Sequence, residues 1–200
     1  METYKGTPYH DEKWPGGPQA IPGRVMCACY DLGGEGVAYH DTDPVNHGSG
    51  ELNPVDGSYL HSFRINEGVD TSYVKFRDDI DNTQYNFVMP EKDMLYVGWT
   101  ERGEWLKYTV SIAGAGLYKV ELMYTSNAGG KIGLDLDHRE AALCDIKTTY
   151  AAEDPVAWRQ WHHWNKLYIA EVSLPAGLHI LTLRVVEKGA MNFGYLEFSR

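Results

Sequence analysis

The residues with the most chemistry to offer are six tryptophans, four of which fall in two close pairs. Trp99 and Trp105 form a W-x5-W pair, Trp161 and Trp164 form a W-x2-W pair, and Trp158 stands just before the second. An indole face is electron-rich, and the C–H bonds on one face of a pyranose are slightly positive. An exposed tryptophan is therefore a stacking platform for a sugar ring. One member of each pair is expected to pack inward. Trp99 and Trp161, at strand ends beside turns, are the candidates for platforms, although packing of all of them on the core or its edge is a second reading.

Acid–base, nucleophilic and metal chemistry have weaker support. The chain has 28 Asp and Glu residues, and glycoside hydrolysis needs only two carboxylates at a set separation, but no pattern selects a pair. No G-x-S-x-G elbow and no H-E-x-x-H helix motif is present. His162 and His163 are expected on a strand edge, where neighbours face opposite ways and do not share a metal. His40 is the more interesting histidine because Asp41 follows it, although a polar loop contact explains the pair as well as a proton-transfer dyad does. Cys27, Cys29 and Cys144 are an odd number, which excludes a complete disulfide framework. Cys27 and Cys29 are read as buried small side chains on one face of a strand.

The elements that must position these residues read as strands. Residues 24–31, RVMCACYD, form an apolar run of strand length. Residues 33–58 are dense in turn formers and read as a long loop region, of the kind that carries function or is strongly anchored. From residue 94 alternation is clear: Leu106, Tyr108, Val110 and Ile112 share one face, as do Tyr118, Val120, Leu122 and Tyr124. KIGLDLDH, LYIAEVSL, LHILTLRVVE and NFGYLEF continue the series, separated by turn signals such as PAG. Residues 140–160 leave room for a short helix, with loop around Pro155. Many strands and no sustained helical period predict an all-β jelly-roll sandwich. Residues 1–22 read as an extended lead-in packed on the domain, and residues 23–200 as a single β-sandwich domain.

Bulk composition narrows the partners. The net charge of −10 repels polyanions, so nucleic acid and anionic membranes are poor partners. No apolar run is long enough to span a bilayer, and the first residues are polar rather than signal-like. The chain is expected either to be cytosolic or, the preferred reading, to be part of a longer secreted, periplasmic or cell-surface protein.

The run YVGWTERGEWLKYTVSIAGAGLYKVELMY resembles the hallmark of family 6 carbohydrate-binding modules: a glycine–aromatic pair, a short turn, then Gly-Glu-Trp-Leu and a strand. IPGRVMCACYDLGGEGVAYHDTD, WHHWNKLYIAEVSLPAGLHILTLRVV and GAMNFGYLEF resemble other landmarks of that family, in order, over residues 20–200. The resemblance implies a galactose-binding-like jelly roll with a loop-end cleft in which two aromatics clamp a sugar and an asparagine bonds it. By matching motifs, these fall on Trp99, Trp161 and Asn192. A polar group from the first loop usually joins them; His40 or Asp41 is the best match, Tyr39 and Glu35 weaker ones. Trp105 matches an aromatic that in some members serves a second cleft. Family members often carry a Glu-Ala-Glu whose carboxylate helps bind a structural calcium. Met26, Cys27 and Ala28 stand there, so a calcium cofactor is in doubt. Glu67 and Asp70 border the expected cleft, with a salt bridge to Arg64 as the favoured reading.

The resulting expectation is a non-catalytic module that binds a poly- or oligosaccharide and targets an attached glycan-active enzyme. Two rival readings stay open: a β-sandwich that has lost sugar binding and serves a structural or protein-interaction role, and a glycan hydrolase or lyase using His40, Asp41 and nearby carboxylates.

Overall fold

The computed structural model describes residues 4–200. After the glycine- and proline-rich start come β1 (Gln19–Ile21) and β2 (Gly23–Met26). β3 (Tyr39–His40), β4 (Ser49–Gly50), β5 (Asn53–Pro54) and the one-turn helix α1 (Tyr59–Ser62) punctuate the long loop region. β6 (Thr71–Tyr73) and β7 (Leu95–Val97) precede the longer strands β8 (Trp105–Ile112), β9 (Gly116–Ser126), β10 (Gly130–Leu136) and β11 (Arg139–Ile146). A 3-10 helix, Ala157–Trp161, leads into β12 (Asn165–Leu174), β13 (Gly177–Glu187) and β14 (Met191–Ser199).

The strands form the expected all-β sandwich of two main sheets. One has the order β1-β8-β13-β10-β11, with β3 added to β8; the other has the order β12-β9-β14-β7-β6, with β2 added to β14. Alternation decides which side chains lie between them. In β8 every second residue, from Leu106 to Ile112, is buried, and β9 contributes Tyr118, Val120, Leu122 and Tyr124 to the same core. A residue of this kind stabilises the fold by roughly 1.5–3 kcal/mol when fully buried. Tyr108 keeps its hydroxyl satisfied in the core by donating to the Cys27 carbonyl at 3.0 Å.

Several local expectations are corrected. The run at 24–31 is not one strand: β2 ends at Met26 and Cys27–Cys29 form a 3-10 turn, although all three cysteines are buried as expected. β11 occupies the start of the segment expected to be loop or helix, and the only helix after it is the 3-10 turn. His162 and His163 follow that turn and precede β12, so they are not strand neighbours.

A second, smaller cluster lies outside the main core: Val74, Met94, Tyr96, Met123, Trp164 and Tyr195. It sits on the outer side of the second sheet, because Tyr96 is flanked in β7 by residues that face the main core, Leu95 and Val97. Trp164 is fully buried there, edge-on to Tyr96 with ring centroids 5.3 Å apart. It is the inward member of its pair. Its indole N–H donates to Asp81 at 2.8 Å and its backbone N–H to Asn86 at 2.9 Å, so one tryptophan fastens the 81–88 loop and the 157–164 segment to the sheet.

Candidate functional site

The pinned segments wall an open cleft of about 1040 Å³ at the end of the second sheet. Trp99, Trp158, Trp161 and Asn192 line it, with Tyr96 and Thr100. Trp99 is 42% exposed, Trp161 39% and Trp158 51%, so these rings face solvent despite their size. Large aromatic surface left exposed in a concave site is the usual setting of a ligand pocket.

Backbone geometry aims Trp99. Its φ is +48°, a left-handed conformation that side chains rarely adopt, and it follows Gly98, whose N–H donates to the Asp70 carbonyl at 2.9 Å. A side chain at Gly98 would come within 2.6 Å of Asn192 Oδ1, and one at Gly48 within 3.2 Å of the Trp99 ring. Both glycines are thus required by close approach. Thr100 then latches the turn to β14: its hydroxyl donates to the Met191 carbonyl at 3.0 Å and its carbonyl accepts from Ala190 at 2.6 Å.

Trp161 is aimed from the opposite wall. Its carbonyl accepts from Asn192 Nδ2 and from Thr125 Oγ1, each at 2.8 Å. In a 3-10 helix residues three apart eclipse one another, which is why Trp158 and Trp161 both line the cleft. Behind them Arg159 forms two 2.7 Å bonds to Asp154, and buried His163 meets the same carboxylate at 2.8 Å. The Arg159 guanidinium holds the Asp154 carboxyl well below the usual carboxylate range.

Trp99, Trp161 and Asn192 are therefore brought together in one cleft. His40, Asp41, Tyr39 and Glu35 are not with them. β3 pairs with the start of β8 on the other sheet, Tyr39 opposite Leu106 and His40 opposite Trp105. There Glu35 accepts from Asp41 N–H at 3.1 Å and contacts His40 Nδ1 at 2.6 Å, while Tyr39 is buried. The His40 and Trp105 rings lie 6.3 Å apart. Trp105 is not an inward core residue; it lies on the half-exposed face of β8, with Lys107 Nζ 4.6 Å from its ring. Beneath this group, burial pushes the Glu104 carboxyl up to about 7 and Asp70 up to about 6. The Arg64–Glu67 salt bridge forms at 2.7 Å, whereas Asp70 instead accepts from His47 N–H.

Sequence reasoning missed Trp158 as a wall residue and the cations of the cleft, Lys75, Arg77, Arg102 and Lys188. The three-residue recurrence of tryptophan at 158, 161 and 164 is the signal that points to Trp158. The cations had none, because they come from three separate segments.

The residues at the family's calcium position do not fit that ion. Calcium takes about six to eight oxygen ligands. Met26 offers no side-chain oxygen, and Cys27 and Ala28 are fully buried. Gln19 Nε2 donates to the Cys29 carbonyl at 3.2 Å and the Met26 carbonyl at 3.4 Å, while its Oε1 accepts from Met26 N–H at 2.7 Å. A neutral amide holds this turn together.

Comparisons with known proteins bear on the fold and the family. No curated protein sequence matches the chain. Among solved structures, a family 6 module from Clostridium stercorarium in complex with cellobiose aligns with TM-score 0.57 and 11% identity, over 92% of this chain and 98% of that one. A β-1,3-glucan-binding family 6 module from Bacillus halodurans gives 0.55 and 15%, over 92% and 100%. A family 43 arabinoxylan arabinofuranohydrolase from Bacillus subtilis gives 0.55 and 13%, over 96% of this chain and 33% of that one. At these identities the likeness speaks for the β-sandwich fold alone. The sequence profile described as "Carbohydrate binding module (family 6)" matches residues 82–200, which is more than half of the chain and includes Trp99, Trp161 and Asn192. The chain belongs to family 6 of the carbohydrate-binding modules.

Proposed function

We propose that this module holds a pyranose ring between Trp99 and Trp161, with Asn192 bonding its hydroxyls, and so delivers an attached glycan-active enzyme to its polymer outside the cytoplasm. The observation that carries the reading is the meeting of two half-exposed indoles from different segments in one cleft, over an asparagine. The cellobiose bound to the Clostridium stercorarium module and the glucan bound by the Bacillus halodurans one support a glycan ligand. The Bacillus subtilis hydrolase, only a third of which aligns with this chain, supports attachment to a catalytic partner.

The energetics suit a targeting role. Covering both faces of one ring removes about 100 Å² of apolar surface from water, worth roughly 2.5 kcal/mol at about 25 cal/mol/Å². Each hydrogen bond adds about 1 kcal/mol net. Against the cost of association this gives a dissociation constant on the order of 10 µM to 1 mM. Tethering then raises the effective concentration of the catalytic domain at a polymer surface.

The test is titration with a panel of soluble oligosaccharides, read by intrinsic tryptophan fluorescence and calorimetry, with Trp99→Ala and Trp161→Ala alongside. A saturable response lost in both variants is expected. Full retention of binding by Trp161→Ala, or a flat response of the folded wild type across the panel, would overturn the clamp.

A further inference from the structure

The charge of the cleft runs against that of the chain. Overall, 28 acidic residues outnumber 18 Lys and Arg. Around the cleft the balance inverts: Lys75, Arg77, Arg102 and Lys188 line it against one carboxylate, Glu101. Among the described residues none of these four cations forms an ion pair.

Lys75 is the most telling. Only 7% of it is exposed, and its ammonium donates to Ser72 Oγ at 3.0 Å and to the Tyr73 carbonyl at 3.3 Å, with the Tyr73 ring 4.2 Å away. An ammonium has three N–H donors, so these two neutral acceptors leave one unused. The nearby carboxylate, Asp81, is engaged by Lys75's own backbone N–H, by the Trp164 indole and by His162. Asp81 supplies charge at a distance, but its oxygens are already held by other donors, so the buried ammonium keeps an N–H for a further acceptor.

We propose that the cleft is built for an acidic glycan, a pyranoside bearing a carboxylate or sulfate, with Lys75 meeting the anion and Arg77 and Arg102 drawing it in from the rim. The inference rests on the clamp reading and adds the ligand's charge to it. Stacking selects a ring, and the unpaired cations select among rings by attracting the anionic one. The carboxylate of a uronic acid and a sulfate ester share this chemistry.

The experiment is calorimetry of the intact chain with three oligosaccharides of equal length: an oligogalacturonide, a sulfated galactan fragment and a cello-oligosaccharide. Each is measured in about 50 mM and about 500 mM salt, where screening separates charge from stacking. At low salt at least one acidic ligand is expected to bind about tenfold or more tightly than the neutral one, with the preference shrinking at high salt. Lys75→Met, and separately the surface double variant Arg77→Ala/Arg102→Ala, should each reduce the acidic-to-neutral ratio by about fivefold or more. The arm that binds identifies carboxylate or sulfate. Equal binding of neutral and acidic ligands, or an unchanged ratio in the double variant, would overturn the charge inference while leaving the clamp standing. Binding of none of the three, with folding verified, would overturn both.

Discussion

Replacing Trp99 by glycine and by alanine separates how the platform is aimed from what it does. The φ of +48° at this residue places it in the left-handed region. An L side chain there costs roughly 1–2 kcal/mol relative to glycine. In ordinary strand or helix positions the order is reversed, glycine being worse than alanine by about 0.5–1 kcal/mol. Both variants lose the same indole and its contact beside Gly48. Their difference therefore reports the backbone alone, and Trp99→Gly should be the more stable by about 1 kcal/mol. Urea unfolding followed by circular dichroism reads this directly. With a slope of about 2–3 kcal/mol/M, the midpoint of the glycine variant should lie about 0.3–0.5 M above that of the alanine variant. Oligosaccharide binding should fall equally in both. If alanine proves as stable as glycine, or more so, Trp99 is not held left-handed, and the argument that the Gly98 turn spends backbone strain to present the ring is wrong.

Other consequences follow from the same contacts. Gly98→Ala would drive a methyl group against Asn192 Oδ1, 2.6 Å away, and should weaken oligosaccharide binding several-fold in calorimetry. Asn192→Asp should be less stable by thermal melting than Asn192→Ala, because its carboxylate would face the Trp161 carbonyl that the amide now donates to at 2.8 Å. Asp154→Asn leaves Arg159 and buried His163 without their shared anion and should cost about 3–5 kcal/mol in urea unfolding. Stability should also depend on pH through Glu104, whose carboxyl burial raises to about 7. Between about pH 4.5 and 7 the folded state holds a proton that the unfolded state has lost, so stability falls as pH rises through this window. Unfolding at pH 5.5 and pH 8 should differ by the order of 1–2 kcal/mol in favour of pH 5.5, and Glu104→Gln should shrink the difference. Lys75, which burial lowers to about 8, stays largely protonated in both states across most of that range and does not reverse the sign.

The strands that alternate cleanly were legible because a half-buried strand writes its faces into the sequence. The stretch from Leu106 to Ile112 is the plainest example, every second residue being buried in the core. The 24–31 run was less legible. Its residues are apolar throughout, so period 2 carries no information there. The chain turns after Met26, where the Gln19 amide holds the Met26 and Cys29 backbone. Loop-borne strands of two residues, such as β3, have no period at all.

The same distinction explains which residues of the cleft could be named in advance. Trp99, Trp161 and Asn192 lie at the ends of regular elements, and their motifs fix where those ends fall relative to the sheet. His40 and Asp41 lie in the middle of a loop that had two sheets to choose from. Pairing of His40 with Trp105 sent them to the first sheet, away from the cleft. The cleft cations were least visible of all. Lys75 follows β6, Arg77 starts the next loop, Arg102 sits in the turn before β8, and Lys188 in the turn before β14. No spacing links these four positions. Only the folding of β6, β7 and β14 side by side gathers their charges over one sheet end, and a net charge of −10 for the chain conceals a cleft of the opposite sign.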